Sequence, residues 1–193
     1  MRLLRCGCTW RRRGWRRRPA CMRLHDLCAP DGSEQAAAEA GVIEAVVVAL
    51  RTHPQVAGVQ EQACRALINV CDGDDAAGLA RAQRAADAGA IEAVVDAMRA
   101  HPQVAQVQED GFRALNNVCY GDDGAAHARK RRATLAGGRE VAITAMRAHS
   151  ADYEVRWFGQ RLLNRLQEGG AGGYATTQSP VLPRGFSRWH SVF

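Results

Sequence analysis

Lysine is nearly missing from this chain: Lys130 stands alone among 26 basic residues, so the other 25 are arginine. Together with abundant Ala and Gly, this is what a GC-rich coding sequence produces, and a bare arginine count therefore carries little functional meaning. Aromatic residues make up only 6% of the sequence, which leaves Ala, Val, Leu and Ile to fill any core. No apolar run approaches the roughly 18 residues of a membrane-crossing helix, so no membrane partner is expected. Residues 1–25 alternate Arg with Cys and Trp and lack the apolar stretch of about 7–15 residues found in a secretory signal. An odd count of seven cysteines without such a signal predicts reduced thiols in a cytoplasmic or nuclear compartment.

Acid is missing from the first 25 residues, which hold nine arginines before the first carboxylate at Asp26. Removing those nine from the net charge of +6 leaves 6 − 9 = −3 for the rest. The basic excess thus lies in one arm, and the remainder is mildly acidic. The sequence divides accordingly into an Arg-rich arm at 1–19, a repeat region at 20–167, and a Gly/Ser/Pro-containing tail at 168–193. Arm and tail are both expected to be disordered.

Within the repeat region the period is 48. His53, His101 and His149 recur at that spacing, as do Gly41, Gly89 and Gly137, and Leu67, Leu115 and Leu163. Residues 41–88 and 89–136 agree at about two-thirds of positions. The units are 41–88, 89–136 and a worn 137–167, preceded by a partial unit near 20–40. In that partial unit Cys21, Leu24 and Cys28 match Cys64, Leu67 and Cys71 at an offset of 43. A fixed period of this length implies supersecondary units that bury their faces against their neighbours.

Each full unit reads as three helices. Residues 76–87 form a helix that Asp75 can cap and that stops at Gly89, a residue suited to left-handed backbone. A second helix is expected at 90–100, with Ile91, Val94, Val95 and Met98 on one stripe. Pro102 is expected to open the third helix, which should run to Tyr120. Its apolar stripe is Val107, Gly111, Ala114, Leu115 and Val118, mirrored by Val59, Ala63, Ala66, Leu67 and Val70, and by Val155, Gly159, Leu162, Leu163 and Leu166. The small residues in these stripes allow close helix approach.

The third helices, with Ala66-Leu67-Ile68-Asn69-Val70 and Ala114-Leu115-Asn116-Asn117-Val118, resemble the closing helix of armadillo repeats. The preceding segments at 41–47 and 89–95, and the His-Pro-x-Val-x-x-Val-Gln-Glu link, are most similar to the armadillo repeats of the large leucine-rich-repeat (Roco) kinases. The resemblance covers residues 20–167, and the kinase and GTPase parts of such proteins have no counterpart here. It implies an all-α fold, a right-handed armadillo-like α-solenoid of three-helix repeats. It also implies a concave groove lined by the third helices, where an Asn of each clamps an extended ligand. Asn69 and Asn117 match that Asn, Arg165 replaces it in the last unit, and Arg65, Arg113 and Arg161 stand where the family has Trp.

Helical spacing alone aligns Glu61, Arg65 and Asn69 in one row, and Glu109, Arg113 and Asn117 in the next, followed by Trp157, Arg161 and Arg165. Two readings stand. The rows form a binding ladder whose planar guanidinium groups suit carboxylate or phosphate, or Glu and Arg simply pair along a solvated face.

Other constellations point to structure. The three histidines are too far apart in sequence register to share one ion and fall at helix ends, where they can meet carbonyls. Cys64 and Cys71 are two turns apart, about 11 Å, beyond the reach of a disulfide. The loops at 72–75 and 120–123 lack calcium-ligand spacing and read as turns with N-caps. No nucleophile elbow, phosphate loop or paired-carboxylate motif occurs. The expectation is a non-catalytic scaffold with no cofactor and no metal, binding a protein or peptide segment of acidic character. It would be a monomer or a piece of a longer array. The alternative is a nucleic-acid-associated protein using the Arg-rich arm, although an acidic repeat region disfavours extensive phosphate contact.

Overall fold

A computed structural model describes Ala38 and residues 41–168, and no strand occurs among the described residues. The arm, the tail beyond 168 and all of the partial unit near 20–40 except Ala38 lie outside them. Among the described residues eight helices have both ends defined: α1 (Val42–Thr52), α2 (Ala57–Val70), α3 (Ala76–Asp87), α4 (Ala90–Ala100), α5 (Ala105–Val118), α6 (Gly124–Leu135), α7 (Gly138–Ala148) and α8 (Tyr153–Glu168). Helices α1, α4 and α7 start at 42, 90 and 138, and α2, α5 and α8 at 57, 105 and 153. None of these helices is long and apolar enough to cross a membrane.

The boundaries follow from local chemistry. Asp75 and Asp123 cap α3 and α6, each accepting a backbone N–H three residues on, at 2.7 Å. Gly89 has φ +88° and joins two helices almost without a linker. Its N–H closes α3 on the Ala86 carbonyl (2.9 Å), and its own carbonyl opens α4 by accepting from Ala93 (3.2 Å). An L side chain there would be strained and would also run into the Arg51 guanidinium.

Two expected boundaries differ. Helix α5 begins at Ala105, not at Pro102, because the Val104 N–H donates back to the His101 carbonyl (3.1 Å) and Pro102 sits in that turn. It also ends at Val118, two residues before Tyr120. The cause is a buried side chain from the next helix. Arg129, 3% exposed, donates through Nε to the Val118 carbonyl and through Nη2 to that of Tyr120, both at 2.8 Å. Arg81 closes α2 in the same way, on the carbonyls of Val70 (2.6 Å) and Asp72 (2.7 Å).

Buried glutamines close the second helices. Gln60 Nε2 donates to Leu50 and His53 at 3.2 and 2.7 Å, and Gln108 Nε2 to Met98 and His101 at 2.9 and 2.8 Å. Carbonyls at helix ends need partners when water is excluded, and these four long side chains supply them.

The core is mostly aliphatic, with Phe112 of α5 fully buried in it. Val46, Val47 and Leu50 of α1, Leu67 and Val70 of α2, Ile91, Val94, Val95 and Met98 of α4, and Leu115 and Val118 of α5 are all buried. Helix α2 packs on α5 and α5 on α8, while α4 lies against α1, α5 and α7. Gly111 permits the α4–α5 approach: a Cβ there would meet the Met98 side chain at 2.7 Å. Polar contacts recur between the same positions. Arg84 pairs with Glu44 across 40 residues at 2.7 Å, and Arg132 pairs with Glu92 across the same interval. The imidazole Nε2 of His101 and of His149 meets the carbonyls of Pro54 (2.7 Å) and Pro102 (2.9 Å).

Candidate functional site

Side by side, α2 and α5 leave an open polar cavity of about 430 Å³ lined by Arg65, Ile68, Asn69, Gln106, Glu109, Asp110 and Arg113. Four of the nine row residues expected from the sequence therefore share one space. Glu61 borders it through Arg65, whose Nη1 lies 2.9 Å from the Glu61 carboxylate. Asn117 has a structural contact: its amide donates to the Ile68 carbonyl at 3.0 Å and ties the end of α5 to α2.

Trp157, Arg161 and Arg165 of α8 do not line this cavity. They form ring contacts instead. Trp157 meets Phe158 edge to face at 4.7 Å, and Arg161 lies 5.4 Å over the Trp157 ring. The Arg165 guanidinium lies 5.0 Å over Tyr120. Arg113 joins the two neighbourhoods, 3.5 Å from Glu109 and 5.3 Å over the Phe158 ring. Guanidinium over an aromatic face is an attractive arrangement.

Asp110 is a buried carboxylate beside the cavity, and the sequence reading gave it no role. Its carboxylate is only 1% exposed. Oδ2 accepts from Arg65 Nε at 2.9 Å and from Gln106 Nε2 at 3.2 Å, while Oδ1 is buried with no hydrogen-bond partner. Burial pushes the Asp110 carboxyl above the ordinary range, against the pull of Arg65, the Gln106 amide and Arg113. Glu109 is raised too, by burial first and then by Asp110, with Glu154 and Asp152 adding to it and Arg113 opposing. Asp110 corresponds to Gln62 and Phe158 in the neighbouring units. The change from Gln62 to Asp110 is one of five differences between α2 and α5, so the repeat pattern alone did not single it out.

The Glu–Arg rows pair along their own helices, as the solvated-face reading expects. Arg65 and Arg113 also reach across to α5 and α8 and line a cavity. The thiols of Cys64, Cys71 and Cys119 are buried, and burial raises Cys64 strongly and Cys119 to about 12, so neither of these two is a ready nucleophile. Among the described residues no group of three His, Cys, Asp or Glu side chains is placed to hold a metal ion. His101 and His149 instead meet the Pro54 and Pro102 carbonyls of the preceding unit. Compared with protein-family models, with curated proteins and with solved structures, the chain matches none.

Proposed function

We propose that this chain is a non-catalytic scaffold, a right-handed armadillo-like α-solenoid that binds a partner protein segment along the groove of α2, α5 and α8. The observation that carries the reading is the polar cavity shared by Arg65, Asn69, Glu109 and Arg113, residues that recur in register on successive helices. The common 48-residue offset of the helix starts and the packing of α2 on α5 and α5 on α8 support the stacked architecture. A short extended segment can cross such helices and exchange hydrogen bonds with each in turn. The test uses the full chain as bait. Asn69→Ala and Arg113→Ala should each weaken a captured partner, the first by about 0.5–1.5 kcal/mol and the second by about 1.5–3 kcal/mol if its guanidinium meets a charge. Capture that survives both substitutions on a folded protein refutes the groove.

A further inference from the structure

The groove's own charges say what kind of side chain completes it. Arg65 is engaged by two carboxylates, Glu61 and Asp110, both at 2.9 Å. Arg113 is engaged by Glu109 and by the Phe158 ring. Five carboxylates act on the Glu109–Asp110 neighbourhood, namely those two with Glu61, Asp152 and Glu154, against two guanidinium groups. Negative charge is therefore in excess where it is also partly desolvated, and Asp110 Oδ1 is a buried acceptor without a donor.

A second observation locates the gap. Gln106 Nε2 sits between the two carboxylates, 3.5 Å from Glu109 Oε2 and 3.2 Å from Asp110 Oδ2. A neutral amide donor thus occupies the position where two adjacent carboxylates favour a cation. Gln106 stands on the first turn of α5 and is only partly buried, so its side chain can swing aside without disturbing the core.

On the reading that the α2–α5 groove binds a protein segment, we infer that the cavity takes a lysine or arginine side chain of that segment. Its charged head displaces the Gln106 amide and lies between Glu109 and Asp110. The head brings several N–H donors, enough to serve both carboxylates and to reach Asp110 Oδ1. Charge-assisted bonds of this kind are about twice as strong as neutral ones. The acidic partner suggested by the arginine rows is disfavoured, because those arginines already have carboxylate or ring partners.

The experiment measures fluorescence anisotropy of the full chain with two end-capped, labelled peptides, one alternating Arg and Ala, the other Glu and Ala. The expected result is binding of the Arg–Ala peptide, weakened about tenfold or more by Asp110→Asn and by Glu109→Gln. Glu140→Gln, at an exposed position of α7, should leave it unchanged. Glu109→Gln keeps the test decisive should Asp110→Asn fail to fold. An equal loss with Glu140→Gln, or no loss with Glu109→Gln, overturns the inference. Preferential binding of the Glu–Ala peptide, lost in Arg113→Ala, also overturns it but leaves the groove standing. Binding of neither peptide counts against both the cation and the groove.

Discussion

Replacing Arg129 with Met tests the claim that a buried guanidinium ends α5. The side chain is 3% exposed and donates three bonds at 2.8 Å, to the carbonyls of Val118 and Tyr120 and to Gln83 Oε1. At about 1.5–3 kcal/mol for each charge-assisted bond, the gross loss is roughly 4.5–9 kcal/mol. Removing a buried charge returns several kcal/mol of desolvation. The net expectation is a loss of about 3 kcal/mol. Methionine nearly preserves the volume, so little of this comes from a cavity. Urea unfolding followed by far-ultraviolet circular dichroism measures it, as a lower midpoint at unchanged slope. Arg129→Lys should recover little, since one ammonium cannot reproduce the planar fork. If Arg129→Met unfolds within about 0.5 kcal/mol of the parent, a range typical of surface substitutions, the capping argument is wrong.

Three further outcomes are expected. The raised Asp110 carboxyl means that the folded protein binds that proton more tightly than the unfolded chain, so its contribution favours folding below the raised value and fades as pH rises through it. Measured as parent minus Asp110→Asn, stability should therefore decline from about pH 4 upward. A difference curve that rises instead refutes the burial argument, and taking the difference cancels the opposite contribution of Glu44, which Arg84 holds low. Leu115→Ala, at a 1% exposed position, should cost about 2–5 kcal/mol in urea unfolding. Gly89→Ala should cost about 1–2 kcal/mol by the same measurement, because φ +88° strains any Cβ and Arg51 must move away.

The helices were legible in the sequence where a single residue enforces a boundary. Asp75 and Gly89 set both ends of 76–87 and the start of 90–100, and α3 and α4 have those bounds. The end of α5 was not legible, because the residue that stops it, Arg129, lies eleven positions ahead on another helix. The rows Glu61–Arg65–Asn69 and Glu109–Arg113–Asn117 could be drawn from helical spacing. Their cross-helix partners could not, since Arg65 finds Asp110 and Asn117 finds the Ile68 carbonyl only once α2 and α5 are docked. Asp110 faces the same limit. Spacing gives its position on a helix, not the depth at which a neighbour covers it.

The offset of the cross-helix bonds has a mechanical consequence. His101 to Pro54 and His149 to Pro102 each span 47 residues, and Asn117 to Ile68 spans 49. Each such bond fastens a unit to the one beside it. On the stacked arrangement proposed above, tension applied at the ends is carried in series and breaks one seam at a time. Each released unit would lengthen the tether by about 160 Å, from 48 residues at roughly 3.3–3.6 Å each less the spacing of stacked helices. Such a chain yields as a row of clasps, with each ruptured seam leaving its neighbours closed.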